Sequence, residues 1–194
     1  MGSERLLNKN FRDFYGEPLY LRALKQALIL PFVSKIVLTS DAPEHTLDIP
    51  SGIIFNARPS HLSQRDTSSS DVAGYIWEKH GSGNDGLLWL QPTSPLRTAN
   101  NISHAFKKWN GTGSLVSCCK GDGLHERFDQ GGYLNTVGIG EKVSLNGAIF
   151  LTDPSTLNHS DWSEGAQAFY MDESESVDID TQSDWDKAIE LFEA

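Results

Sequence analysis

Cysteine is scarce in this chain, with only Cys118 and Cys119 among 194 residues. Adjacent strand residues point to opposite faces, which argues against a disulfide between them and suits a reducing cytoplasm. Positively charged residues are also scarce: the net charge is −10 and the isoelectric point is near 4.9. A general nucleic-acid or anionic-membrane surface is therefore not expected. No apolar run approaches the roughly 20 residues of a membrane span, and the N-terminus has no signal-peptide core. These features predict a cytoplasmic protein without nucleic-acid or membrane partners.

The rest of the chain alternates helical and strand patterns. We predict helices over 16–30, 72–80 and 98–109, and a C-terminal helix opened by a capping box over 181–184. Strands are predicted over 35–39, 52–56, 86–90, 114–119, 146–152 and 177–180, with a glycine-rich excursion over 120–142. A chain of this length can bury about 70% of its unfolded surface as one domain. The alternation predicts a single α/β domain over 1–194 with a doubly wound, mostly parallel, Rossmann-like sheet.

A polar loop over 91–98, with the sequence QPTSPLRT, follows the apolar run over 87–90. Two prolines bracket Thr93 and Ser94, and they hold the loop rigid because proline continues neither a strand nor a helix interior. Ligands of open parallel sheets bind outside the carboxyl ends of the strands. One interpretation is therefore a recognition loop that presents hydroxyls, the Gln91 amide and Arg97 together. An ordinary βα loop with a proline-stiffened N-cap is the alternative.

Five segments of the chain together resemble one family. In order they are GSERLLNKN over 2–10, RP over 58–59 with DTSSS over 66–70, QPTSPLRT over 91–98, NGAIF over 146–150 and SVDIDT over 176–181. This set resembles the CMP-sialic acid synthetases, cytidylyltransferases that activate N-acetylneuraminic acid and related nonulosonic acids. The resemblance implies a fold like that of the nucleotide-diphospho-sugar transferases, with CTP and a nonulosonic acid as substrates. It also implies Mg²⁺ and a homodimer whose 120–142 excursion reaches toward the partner's active site.

The N-terminal segment over 2–10 combines a flexible backbone with two cations, which is the composition expected of a triphosphate-binding loop. With the resemblance, Lys9 is the candidate for the α-phosphate and Arg5 for the departing pyrophosphate, where negative charge develops during nucleotidyl transfer. Ser3 and Asn10 are candidates for nucleotide binding. Without the resemblance, a disordered basic terminus would explain the same residues.

Cytosine recognition is assigned by the resemblance to Arg58 and to the serines that open the next helix. Hydroxyls at a helix N-terminus and a nearby arginine can satisfy the carbonyl and amino edge of the base. The spacing leaves open whether Ser69 or Ser70 makes the contact. The serine run is equally compatible with a simple N-cap.

The metal prediction rests on Asp178 and Asp180. A spacing of two on a strand puts both carboxylates on one face, where they repel each other unless a cation or hydrogen bonds intervene. Hard oxygen ligands beside a triphosphate specify Mg²⁺. A solvent-facing acidic strand edge is the alternative without the resemblance.

For the sugar, the resemblance assigns Gln91 and Asn146 as amides and Arg127 as the cation for the sugar carboxylate. Phe150 stands where a tyrosine is usual. An Arg-Gln pair of the family is replaced by Thr136 and Val137, which removes one carboxylate-binding cation. A sister enzyme acting on pseudaminic, legionaminic or another eight- or nine-carbon acid therefore remains open.

One departure from the family concerns the N-terminus. Its members place an apolar strand of the form I-I-P-A-R immediately before the glycine-serine turn, and this chain has Met1 in its place. Loss of that central strand is expected to expose two strand edges and part of the core. We expect either a truncated reading of a longer protein or a fold with damaged nucleotide binding. The alternative to the enzyme is a noncatalytic remnant that dimerises or binds nucleotide weakly.

Overall fold

The structure is a computed structural model of the chain. It describes residues 6–64, 66–83, 85–121, 127–128, 134–135, 142–158 and 165–194, with only the backbone at 127–128, 134–135 and 158. Within these ranges, no helix combines the length and apolar character needed to cross a membrane.

Helices and strands alternate through most of the described chain. In chain order they are α1 (Leu19–Leu28), β1 (Ile36–Ser40), β2 (Ile53–Ala57), α2 (Ser69–His80), β3 (Leu87–Trp89), α3 (Ala99–Lys108), β4 (Ser114–Lys120), β5 (Arg127–Phe128), β6 (Leu134–Asn135), β7 (Val143–Thr152), β8 (Gln167–Tyr170) and α4 (Gln182–Glu193).

The strands form one four-stranded sheet and two pairs. β1 and β2 pair in parallel, and the larger sheet has the order β3-β7-β4-β8, with β4 and β8 parallel. β7 runs antiparallel to both β3 and β4. The predicted α/β class with parallel pairing is confirmed, and the antiparallel β7 is a detail that the pattern did not predict. The short β5–β6 pair is antiparallel and lies in the predicted excursion.

Helices cover both faces of the four-stranded sheet, which is the doubly wound arrangement. Ile102 of α3 packs on one face against Leu115 and Ile149, and Leu88 of β3 joins this cluster. Ala73 of α2 packs on the other face, where Leu87 and Trp89 of β3 join a separate cluster. Successive β3 side chains thus enter opposite layers, as the period of two in a strand requires.

Two further helices cover the remaining strands and the chain ends. α1 packs Leu21 and Leu24 against Ile36 and Leu38 of β1. A third cluster joins α4 to the N-terminal segment and to the stretch before α4, through Phe14, Leu19, Leu96, Val177, Ile179, Trp185 and Ala188. The first and last segments of the described chain are therefore held against each other.

Three local features differ from what the sequence predicted. The predicted strand over 177–180 is not a strand: Val177 and Ile179 are buried in alternation, but no strand within the described ranges forms a ladder with them. β8 was not predicted. α2 begins three residues earlier than predicted because the Ser68 side chain accepts a hydrogen bond from the backbone N–H of Asp71 and caps the helix.

A cleft separates β1 from β3. Among the described residues, β1 pairs only with β2, and β3 pairs only with β7, so each strand has one unpaired edge. The cleft encloses about 740 Å³ and is lined by both strands, by α1 residues such as Leu24 and by α2 residues such as Trp77. The expectation from the sequence that a central strand is lacking stays a prediction.

Candidate active site

Residues 93–97 of the loop over 91–98 are buried, which corrects the interpretation that the loop presents Arg97 to a ligand. The Arg97 side chain is only 2% exposed. Its Nη1 donates to the backbone oxygens of Gln91 (3.1 Å) and Ala148 (2.6 Å), and its Nε and Nη2 donate to Gln26 Oε1 (3.1 and 3.0 Å). Burial lowers the pKa of the guanidinium to about 9, so it remains protonated at neutral pH. Arg97 therefore anchors the loop.

Arg97 connects the loop to a bulge in β7. Leu145 is opposite Cys118 and Phe150 is opposite Val116, so the four β7 residues over 146–149 face only Ser117 on β4. The Ser117 hydroxyl donates to Asn146 Oδ1 (2.5 Å) and accepts from the backbone N–H of Ile149 (2.8 Å). A bulge bends a strand and redirects its side chains. Here the bulge contains Ala148, whose carbonyl accepts from Arg97 of the loop after β3.

Two predicted sugar residues lie on β7, and both side chains are engaged within the protein. Asn146 is 4% exposed, and its Nδ2 donates to Ser176 Oγ (3.0 Å) and Met171 Sδ (3.5 Å), while its Oδ1 also accepts from the backbone N–H of Ala148. Phe150 packs in the apolar cluster beneath α2. Direct contact of either residue with a sugar stays a prediction, and Asn146 would have to exchange an existing hydrogen bond.

Gln91 lies just beyond β3, close to the start of α2. Its Nε2 is 3.5 Å from Ser69 Oγ, at the limit of a hydrogen bond. The Ser70 hydroxyl lies 2.8 Å from that of the capping Ser68. The structure thus brings Gln91 and Ser69 together at a helix N-terminus, where the helix dipole favours electron-rich groups. The choice between Ser69 and Ser70 as the cytosine contact remains open.

The polar end of the cleft contains Arg58. Its Nη2 donates to the carbonyl of Thr39 (3.0 Å), and its backbone N–H donates to that of Ser40 (2.8 Å). Burial lowers the pKa of Arg58, and the nearby Asp41 carboxylate opposes this shift. The described cleft lining also holds three buried polar atoms without a hydrogen-bond partner: Asn10 Oδ1, Thr39 Oγ1 and Arg58 Nε.

Unpaired buried polar atoms are rare in proteins, and each suggests a ligand, a water or strain. Asn10 and Arg58 were predicted from the sequence as nucleotide-binding residues, and the structure places both in the lining of one cleft. Thr39 was not predicted as a site residue. Its position at the carboxyl end of β1 was the available signal, because ligands of such sheets bind there.

The N-terminal cation and the C-terminal carboxylates form a second polar cluster. Lys9 Nζ donates to Asp180 Oδ1 (2.6 Å) and to the backbone oxygen of Ile179 (2.7 Å). The side chains of Lys9 and Asp180 are 14% and 43% exposed. Two residues predicted to act on the same triphosphate are thus within contact distance, although 171 positions separate them in the chain.

Asp178 is the more buried carboxylate. Burial raises its pKa, a hydrogen bond with Thr93 lowers it, and the charge of Asp180 raises it further. Asp178 Oδ1 is buried and has no hydrogen-bond partner within the described chain. A carboxylate that is partly desolvated and unpaired at one oxygen is energetically unfavourable unless a cation binds it.

Two carboxylates suit Mg²⁺, which is commonly bound by one or two protein carboxylates together with substrate phosphates. In the described ranges, no group of three or more histidine, cysteine, aspartate or glutamate side chains could hold a metal by itself. The donor set of Asp178 and Asp180 therefore fits a metal that is shared with a phosphate ligand. It does not resemble an all-protein metal cage.

Three candidates fall wholly or partly outside the described residues. Ser3 and Arg5 lie outside them, and for Arg127 only the backbone in β5 is described. Most of the predicted excursion also lies outside. Their proposed roles stay predictions.

Comparison with known proteins shows the family of this chain. The model of the cytidylyltransferase family matches residues 1–130. A CMP-N,N'-diacetyllegionaminic acid synthase of Legionella pneumophila is 28% identical, covering 99% of this chain and 92% of that protein. An N-acylneuraminate cytidylyltransferase of Escherichia coli is 26% identical, covering 98% of this chain but only 49% of that protein.

Solved structures support the fold. A CMP:2-keto-3-deoxy-manno-octonic acid synthetase complexed with CTP superposes with a TM-score of 0.74 at 15% identity, covering 99% of this chain and 94% of that one. A 4-diphosphocytidyl-2C-methyl-D-erythritol synthase of Anaerococcus prevotii superposes with a TM-score of 0.63 at 11% identity, covering 100% and 93%. The sequence prediction of a nucleotidyltransferase is confirmed by the family match, and this chain belongs to the cytidylyltransferase family.

Proposed function

We propose that this chain transfers CMP from CTP to a nonulosonic acid, giving the CMP-sugar and pyrophosphate. The observation that carries the proposal is the convergence of Asn10, Arg58 and Gln91 on one cleft in a chain that matches the cytidylyltransferase family. The relatives named for CMP-sugar synthesis extend over nearly all of this chain. They do not favour the noncatalytic alternative.

In this proposal the base binds between Arg58 and the first turn of α2. The Arg58 guanidinium donates to the cytosine carbonyl, and Ser69 or Ser70 accepts from or donates to the base edge. The unpaired Nε of Arg58 and the unpaired Oγ1 of Thr39 support a polar ligand at this end of the cleft.

The sugar hydroxyl attacks the α-phosphorus in line. A new bond forms from that oxygen to phosphorus, the bond from the α-phosphorus to the bridging oxygen breaks, and pyrophosphate departs while the hydroxyl proton is lost to solvent or a base. Lys9 would neutralise charge on the α-phosphate, and Arg5 would neutralise charge on the pyrophosphate. Asp178 and Asp180 would hold Mg²⁺, which supplies further neutralisation of the phosphates.

The acceptor would lie beside Gln91, with Arg127 as the cation for its carboxylate and with Asn146 and Phe150 nearby. N-Acetylneuraminic acid is the first candidate. N,N'-Diacetyllegionaminic acid is the second, because the legionaminic acid synthase of Legionella pneumophila resembles this chain over almost its full length. The proposal further includes a cytoplasmic homodimer. The two free cysteines support a reducing compartment.

The test is pyrophosphate release by the purified chain with Mg²⁺. CTP is offered with N-acetylneuraminic, N,N'-diacetyllegionaminic, pseudaminic and 2-keto-3-deoxy-octonic acids, each also without the acid as a blank. Lys9→Met should abolish most turnover, whereas Lys107→Met, which removes an exposed cation from α3, should leave it unchanged. Absence of acid-dependent release with every acid would refute the proposal.

A further inference from the structure

Gly147, at the centre of the β7 bulge, has a left-handed backbone with φ of +66°. A β-carbon built on it would lie 3.2 Å from Gln91 Oε1 and 3.5 Å from Asp178 Oδ2. Both side chains therefore approach the space that any larger residue would occupy. The contact at 3.2 Å is tighter than ordinary van der Waals contact, so Gln91 would have to move.

The three residues come from distant parts of the chain. Gln91 follows β3, Gly147 belongs to β7, and Asp178 precedes α4. Several contacts hold them in register: Arg97 binds the carbonyls of Gln91 and Ala148, and the backbone N–H of Ile179 donates to the carbonyl of Thr93 at 2.8 Å. The backbone on each side of the contact is therefore fixed, and the side chains must absorb any added volume.

We infer that Gly147 is a positioning residue, whose bare α-carbon leaves room for both the Gln91 amide and the Asp178 carboxylate to approach it. The inference rests on the proposed function in one respect: Gln91 is a proposed sugar contact and Asp178 a proposed metal ligand. Their proximity would bring the acceptor sugar and the metal-bound phosphates to the same point. Gly147 itself contacts no reacting atom in this role.

The test compares two glycine-to-alanine variants with almost the same backbone strain. Gly147→Ala adds a methyl group against Gln91. Gly113→Ala adds one at φ of +64° with nothing within 4 Å, so it reproduces the left-handed strain without the collision. Thermal unfolding of both variants shows whether the two substitutions cost similar stability.

Side-chain NMR of the free protein gives a readout that does not depend on activity. The Gln91 amide signals, assigned by their loss in Gln91→Ala, should shift in Gly147→Ala and stay in place in Gly113→Ala. Unshifted signals in Gly147→Ala would overturn the inference, whether or not the chain proves to be a cytidylyltransferase. Signals that shift in Gly147→Ala, together with a wild-type chain that turns over no acid, would instead reject the proposed function and leave the positioning intact.

Kinetics completes the test in an active chain. Gly147→Ala should lower kcat/KM for the acid by up to about 100-fold, the loss that a misplacement of about 1 Å can cause. KM for CTP should change less than KM for the acid, because the added methyl group would be in ordinary contact with Asp178 but too close to Gln91. In a Gln91→Ala background the same substitution should cost much less, since the colliding amide is gone. An equal loss in both backgrounds would contradict the role of Gly147 in positioning Gln91.

Discussion

Replacement of Asp178 by asparagine should stabilise the fold while it abolishes most activity. The carboxylate is half-buried, burial raises its pKa, and one of its oxygens has no hydrogen-bond partner in the described chain. An unpaired buried polar group costs roughly 1–3 kcal/mol, and more when it is charged. Asparagine keeps the shape but removes the charge. We therefore expect Asp178→Asn to raise the free energy of unfolding by about 1 kcal/mol at neutral pH, which is about 2–4 °C in Tm for a domain of this size.

The gain should depend on pH with a defined sign. A carboxyl whose pKa is raised by folding destabilises the folded state when it is ionised in both states, and this penalty disappears below its ordinary pKa. The advantage of Asp178→Asn over the wild type should therefore shrink as the pH falls from 7 toward the ordinary carboxyl range. Urea unfolding at several pH values, followed by tryptophan fluorescence, measures the difference directly.

Asp180→Asn provides the matched comparison. Asp180 is paired with Lys9 and is 43% exposed, so its loss should cost no more than about 1 kcal/mol of stability. Both variants should lose most pyrophosphate release. Glu190→Gln, an exposed carboxylate on α4, should change neither activity nor stability. A destabilised Asp178→Asn variant that keeps its activity would refute the reasoning, because the carboxylate would then be structural.

The remaining predictions concern the nucleotide, the loop anchor and the cleft. CTP should be preferred over UTP, ATP and GTP in pyrophosphate release, and Arg58→Met should reduce that preference. Equal turnover with ATP would contradict the proposed cytosine site. Arg97→Met should lower the free energy of unfolding by about 3–5 kcal/mol, because it leaves one buried and two partly buried acceptor groups without their donor. A loss smaller than about 1 kcal/mol in urea titrations would show that the loop has other anchors. An Ile-Ile-Pro-Ala-Arg extension before Gly2 should raise Tm by pairing with the edges of β1 and β3 and should raise CTP turnover, whereas a Gly-Ser extension of equal length should do neither. An unchanged melt with both extensions would contradict strand insertion.

Local signals in the sequence predicted local structure well. The capping box of α4 is confirmed, since the Thr181 hydroxyl accepts from the N–H of Asp184 and the Asp184 carboxylate accepts from the N–H of Thr181. Most strands and helices lie within a few residues of their predicted positions. Such features depend on neighbours three or four positions away, so a single sequence contains the information needed to predict them.

Non-local pairing explains the errors. Val177 and Ile179 alternate in burial as a strand would, yet no described strand lies beside them, and a ladder needs a partner. Arg97 appeared suited to a ligand because it ends a polar loop. The carbonyl that it binds most closely belongs to Ala148, 51 positions along the chain. The absence of a ladder could not be predicted from residues 176–181 alone. Nor could residues 91–98 alone predict that Arg97 binds the Ala148 carbonyl.

The sequence predicted which residues form the candidate site, and the structure shows which of them contact each other. The proposed phosphate cation Lys9 already neutralises the proposed metal ligand Asp180. If Lys9 and Asp180 have these roles, a triphosphate that binds Lys9 would free the Asp180 carboxylate. A cation bound by Asp178 and Asp180 would in turn free Lys9. The triphosphate would displace Lys9 from the metal site, and the cation would displace Asp180 from the phosphate site. Linkage requires that each ligand then strengthens binding of the other to the same extent. Triphosphate and Mg²⁺ should therefore bind to this site more tightly together than either does alone.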